Sequence, residues 1–195
     1  MKKVLLFLLT VFLLTNVAFA SEVKDEMYYK RQIQNQRYPY SNAGIITAIK
    51  RGKYDIVELY MNAGFDANSS YGGTPLIFFA IYTQQAKCLD VLLEAGANPE
   101  TTIPPMYVSC HSETALTYAI KRKNSDMVKS LIQYKVDVNR NYKGQKPLRL
   151  AVAKKQTKIV ETLLKAGATP DEKTIKMVQK SKDVYLEDLF DSYLN

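Results

Sequence analysis

The chain predicts an all-α solenoid of about four helix–turn–helix repeats closed by irregular helical caps, and three observations carry that prediction. The first is a fixed period: Ala48, Ala80, Ala119 and Ala151 are spaced by 32, 39 and 32 residues, and Gly64, Gly96, Lys135 and Gly167 follow the same steps. The second is the form of the best-marked stretch, Thr74 to Pro99, in which two short apolar segments run from a Thr-Pro-Leu turn signal to a closing Ala95-Gly96. Pro is tolerated at a first helical position, where its missing N–H has no partner, and Gly supplies a left-handed cap. The third is incompleteness. Two helices of this length bury Leu76, Phe79 and Ala80 against Leu89, Leu92 and Leu93 but have no second face to cover them, so the unit needs copies of itself.

The openings TPL (Thr74 to Leu76), TAL (Thr114 to Leu116) and KPL (Lys146 to Leu148) and the exits AGFDAN, AGANP, KVDVN and AGATP resemble those of ankyrin repeats. The resemblance covers residues 41–170, divided at about 41–68, 69–100, 101–139 and 140–170. Ala43-Gly44-Ile45 stands in place of the first Thr-Pro-Leu, and one extra residue separates Pro75 from Ala80. Lys135 replaces a capping Gly, which is expected to strain or reshape that turn. The step of 39 places about seven additional residues within Thr101 to Glu113, in the loop that leads into the third repeat.

Before the repeats, Lys2-Lys3, an apolar run from Val4 to Leu14 and Ala18-Phe19-Ala20 have the form of a secretory signal peptide cut after Ala20. An apolar run of eleven residues is too short to span a bilayer. The expected location is periplasmic or secreted, with no integral membrane association after cleavage. Residues 21–40 are polar and Tyr-rich, with a helix expected from about Lys24 to Gln36 that caps the first repeat. Residues 171–195 predict two closing helices, Glu172 to Lys180 and Asp183 to Leu194, the second turning Val184, Leu186, Leu189, Phe190 and Leu194 inward. Without Lys2 and Lys3, 25 basic side chains face 19 acidic ones, and an exported protein with that moderate excess does not call for nucleic acid.

Catalytic signatures are missing from the sequence. There is no GxGxxG, GxxxxGK[ST] or GxSxG, and a single His with two Cys does not complete a zinc site. Adjacent Cys110 and His111 in an extended loop point to opposite sides, which disfavours a dyad. No enzyme activity, metal or cofactor is expected. Two readings of the cysteines stand. A Cys88–Cys110 disulfide would tie the second repeat to the inserted loop, worth about 3 kcal/mol by loop-closure entropy. Alternatively Cys88, aligned with Ile56, Met127 and Ile159, is a small buried hydrophobe.

The resemblance implies protein binding through loop tips and the concave face of the first helices. Carried over by position, the contact residues are Lys50, Arg51, Tyr71, Tyr82, Tyr107, His111, Lys121, Arg122, Tyr142, Lys143 and Lys154. Their cations, extended by Lys53, Lys123 and Lys155, align in three of the four repeats into a basic ridge that would steer an acidic protein partner. The same cations are favoured at helix C-termini by the helix dipole, whether or not anything binds. The expected protein is a monomeric, non-catalytic binding module, in its sharper form an immunity-type inhibitor of a toxin or effector. A structural or redox-responsive envelope scaffold is the alternative.

Overall fold

The computed structural model describes residues 24–103 and 113–194. The leader reading and Tyr107, Cys110 and His111 lie outside these residues. Among the described residues eleven helices form two layers. α1 (Glu26–Asn35) precedes four pairs: α2 (Asn42–Lys50) with α3 (Tyr54–Asn62), α4 (Leu76–Tyr82) with α5 (Ala86–Glu94), α6 (Ala115–Lys121) with α7 (Ser125–Gln133), and α8 (Pro147–Ala153) with α9 (Thr157–Lys165). α10 (Glu172–Ser181) and α11 (Val184–Leu194) follow. First helices stack in the order α2, α4, α6, α8, α10, and second helices in the order α1, α3, α5, α7, α9, α11. The closing helices therefore continue both layers as a fifth pair, whereas α1 extends only the outer one.

The periodic alanines mark the point where each pair turns. Ala48, Ala80, Ala119 and Ala151 are completely buried. Their carbonyls accept the amides of Lys53, Gln85, Asn124 and Gln156, the bond that closes a Schellman-type helix end. At the exits, Gly64, Gly96 and Gly167 have φ of +75°, +89° and +86°. Lys135 adopts the same left-handed conformation with φ +61°, so this turn keeps its shape and carries the strain of a Cβ.

The sequence reading did not contain the short hairpins at the pair entrances. β1 (Ser70–Tyr71) pairs with β2 (Thr74–Pro75), and β3 (Thr102–Ile103) with β4 (Glu113–Thr114). A bridge between Tyr142 and Gln145 is the fourth repeat's equivalent. Gly72-Gly73 and Lys143-Gly144 make two-residue turns with both φ positive, the geometry that matches strand twist. Two residues separate the paired Tyr71 and Thr74, but nine separate Ile103 from Glu113, so all seven additional residues fall at this one tip. Pro75 precedes α4 as its N-cap instead of opening the helix. The second repeat therefore carries no extra residue: α4, α6 and α8 are all seven residues long and each starts two residues after the paired Thr74, Glu113 or Gln145, so its Thr-Pro-Leu is only displaced by one position.

Neighbouring repeats are tied on their outer side by one recurrent side chain. Asn68 accepts the amide of Asn98 at 2.7 Å and donates to the Gly96 carbonyl at 3.1 Å, and Asn139 does the same with Thr169 and Gly167. Glu100 occupies this place between the second and third repeats. Its carboxylate accepts the Asp137 amide but has no N–H to donate, and Arg140 binds it instead.

At the N-terminal end the rings of Tyr40, Tyr60 and Phe65 pack with centroids 5.5–5.7 Å apart. The Tyr60 hydroxyl donates to the Pro39 carbonyl at 2.5 Å, and burial pushes its pKa up to about 12. Gly44 permits this contact: a Cβ there would stand 1.9 Å from the Pro39 oxygen and 2.2 Å from the Tyr60 hydroxyl. At the other end Leu186 and Phe190 face inward as expected and Leu189 is half-buried, but Val184 and Leu194 are 68% and 49% exposed.

Two expectations follow. Gly44→Ala is expected to lower stability by about 2–4 kcal/mol, since a methyl must displace a wholly buried Tyr and break its hydrogen bond; urea unfolding measures this. Asp171 caps α10 by accepting from Thr174 and pairs with Lys146 and Arg149. Its hydrogen bonds to Thr174, with Lys146 close by, lower its pKa from 3.8 to about 2. Because the folded pKa is the lower one, the stabilisation is present above about pH 4 and is lost as pH falls towards 2. Asp171→Asn keeps a cap and removes the charge, so its stability deficit should vanish across that window.

Candidate functional site: a cleft on the concave face

The hairpin arms stand beside the first helices and enclose a cleft of about 690 Å3, lined by Lys50, Tyr71, Phe78, Phe79, Tyr82 and Ile103. Sequence position explains this placement. Lys50 and Tyr82 end successive first helices, Tyr71 is the last strand residue before a hairpin tip, and Phe78 and Phe79 lie on consecutive positions of α4. Phe78 is buried with its ring 5.8 Å from that of Tyr118. Phe79, expected in the core, is only partly buried and turns towards the cleft, with the Lys50 ammonium 5.8 Å from its ring centroid. Tyr71 and Tyr82 are 56% and 51% exposed. The Arg122 guanidinium lies 5.4 Å from the Tyr82 ring centroid and donates to the Tyr82 carbonyl at 3.0 Å.

Next to this wall lies a polar cluster that sequence reasoning did not identify. Glu113, expected at a loop tip, is only 1% exposed, because β4 carries it under the turn. Its Oε1 accepts from Lys121 Nζ at 2.7 Å. Glu113 Oε2, the Tyr118 hydroxyl and Arg122 Nε are buried with no hydrogen-bond partner among the described residues. Burial, more than the nearby Glu113 and Tyr82, raises the Tyr118 pKa against the opposing pull of Arg122. A carboxylate eight residues before a Lys is no helical pair, so only the strand-to-helix path brings the two together.

The predicted contact residues therefore divide. Lys50, Tyr71, Tyr82 and Arg122 converge on the cleft. Lys121 does not contribute a free charge, since it is matched by Glu113. Arg51 and Lys154 are exposed C-caps of α2 and α8. Tyr142 and Lys143 belong to the fourth hairpin and do not line the cleft, the Tyr142 ring lying 5.6 Å from Arg140 and 5.7 Å from Lys143. Cys88 is a fully buried thiol that forms no disulfide among the described residues, its proposed partner Cys110 lying outside them. Burial pushes the Cys88 pKa up to about 11, which suppresses the thiolate form. No cluster of metal-ligating side chains occurs among the described residues, and no helix there is long and apolar enough to cross a membrane.

The Glu113–Lys121 pair gives a direct test of this cluster. Lys121→Met strands a buried carboxylate and is expected to destabilise by about 2–4 kcal/mol, with part of the loss restored by adding Glu113→Gln. A double-mutant cycle in urea measures the coupling.

Comparison with known proteins agrees with this architecture. Residues 105–174 match a family model described as ankyrin repeats in three copies. A putative ankyrin repeat-containing protein of Treponema pallidum is 28% identical over 149 residues, covering 75% of this chain and 48% of its own. A putative ankyrin repeat protein of Coxiella burnetii is 30% identical over 141 residues, covering 63% and 40%, and one of fowlpox virus is 30% identical over 145 residues, covering 68% and 47%. The chain thus spans about half or less of the length of these relatives. With the stacked helix pairs, the hairpin entrances and the left-handed exits, these matches place the chain in the ankyrin-repeat family.

Proposed function

We propose that this protein is a non-catalytic module that binds another protein outside the cytoplasm, with the concave cleft as the centre of its contact. The observation that carries the reading is the pair of half-exposed tyrosines, Tyr71 and Tyr82, over an apolar floor of Phe78, Phe79 and Ile103. Rigid aromatic rings with a polar tip, partly desolvated beside an apolar hollow, are the usual anchors of protein interfaces. Lys50 and Arg122 border the hollow, so the complementary surface is an apolar or aromatic side chain accompanied by acidic groups. Non-catalytic binding is also the general use of the ankyrin family. The apolar leader supports an extracytoplasmic location.

The test is a pull-down by the tagged protein from a periplasmic extract of its own organism, at low and high salt. A retained protein should bind Tyr82→Ala at least about tenfold more weakly, as expected for an interface anchor, and Lys50→Glu should reduce binding mainly at low salt. Unchanged binding by both variants would remove the cleft from the reading. A partner found only among incoming toxins or effectors would favour the immunity-type role over an envelope scaffold.

A further inference from the structure

The chain's positive charge is concentrated along one edge. The turns that join first to second helices occupy equivalent windows: 50–55, 82–87, 121–126 and 153–158, followed by the α10–α11 turn at 180–183. They are in contact along the solenoid. Gln85 packs on Gly52, Arg122 reaches the Tyr82 carbonyl, Gln156 donates to the Ile120 carbonyl, and Lys155 and Lys180 line one hollow. The first turn contributes Lys50, Arg51 and Lys53, and the second Lys87. The third contributes Lys121, Arg122 and Lys123, the fourth Lys154, Lys155 and Lys158, and the last Lys180 and Lys182. Against these twelve cations stand Asp55, Asp126, Asp183 and Glu113, the partner of Lys121, a net +8, whereas the whole chain carries +8 and everything else therefore sums to zero.

Most of these charges have no acidic partner among the described residues. Of the twelve, only Lys121 forms an ion pair among the described residues, whereas Lys30, Arg140, Lys146, Arg149, Lys165 and Lys176 elsewhere all do. Helix-dipole compensation explains a cation at a helix C-terminus, Lys182 as the C-cap of α10 included, but Lys123 and Lys155 lie beyond the C-caps Arg122 and Lys154 and hold left-handed conformations with φ +58° and +54°. Gly52 adopts the same conformation in the first turn, so this turn does not itself require a side chain. The cations are thus placed at turn apices against the backbone preference.

We infer that this edge is a docking surface for an anionic phospholipid membrane, on which the protein lies peripherally with its concave cleft free. Ten of the twelve cations are Lys. Lysines act as mobile point charges, whereas recognition of fixed phosphates in nucleic acids or phosphopeptides uses the planar fork of Arg. Mobile headgroups can gather beneath a row of lysines that has no built anion pocket, and each Lys near such a surface adds to the attraction. Tyr54, exposed on the same edge with the Lys87 ammonium 4.9 Å from its ring centroid, supplies an amphipathic ring that favours the headgroup layer. The inference does not depend on the protein partner proposed above, and the two fail separately because their variants differ.

The experiment is co-sedimentation of the protein, purified as its host cell produces it, with phosphatidylcholine vesicles lacking or containing about 30% phosphatidylglycerol, at low and high salt. Binding should require the anionic lipid and fall with salt. Lys123→Glu/Lys154→Glu/Lys155→Glu should weaken it by about a hundredfold or more. The control Lys135→Glu/Lys165→Glu/Lys173→Glu changes net charge equally away from the edge and should retain most of the binding, with circular dichroism showing both variants folded. Equal sedimentation with neutral vesicles, no binding to anionic ones, or equal losses in the two variants would overturn the inference.

Discussion

No repeat of this chain can bury both faces of its own helices, and that constraint organises the rest of the molecule. A seven-residue first helix and a nine-residue second helix hide Leu76, Ile77, Ala80 and Ile81 against Leu89, Leu92 and Leu93 only when neighbours close the two open sides. Each boundary then needs tight, repeatable turns. The periodic Ala is small enough to be wholly buried there, and its carbonyl takes the closing amide. The solenoid can be extended by stacking, but each end must be finished differently. α1 covers the outer layer with Ile33 and an aromatic cluster held by one hydroxyl, while α10 and α11 copy the full pair.

The boundary between the second and third repeats is where regularity gives way. The Asn tie becomes Glu100 with Arg140 and the entrance hairpin carries the seven additional residues, while at the far end of the third repeat Lys135 replaces the capping Gly. The same boundary holds Ile103 at the cleft wall and the buried Glu113 beneath it. Three orphaned polar atoms collect nearby, on Glu113, Tyr118 and Arg122. A structural repeat would be cheaper without them, because unpaired buried polar atoms weaken a fold. Departures of this kind are expected where a fold carries function.

Charge and aromatic character divide between two surfaces. The cleft gathers ring faces with a few bordering cations, an arrangement suited to short-range contact. The turn edge holds unpaired lysines over a long front, an arrangement suited to a diffuse field. Arg122 and Tyr82 lie where the two meet.

The architecture was legible in the sequence because repetition is a one-dimensional signal. Two series that share the steps 32, 39 and 32, the alanines from Ala48 to Ala151 and the exits from Gly64 to Gly167, mark repeated units, and Gly at three of the four exits marks the same left-handed turn. The last closing helix was legible from the apolar spacing of Leu186, Leu189 and Phe190. What lay beyond reach involved positions defined by neighbours. Phe79 belongs to the cleft and not the core because the adjoining hairpin stands away from it. Val184 and Leu194 are exposed because the packing of α11 turns Leu186 and Phe190 inward instead. Glu113 meets Lys121 because a strand and a helix, and not one helical face, bring them together. Local periodicity determines which residues share an element, but only the packing of elements against one another decides which atoms are left uncovered or unpaired.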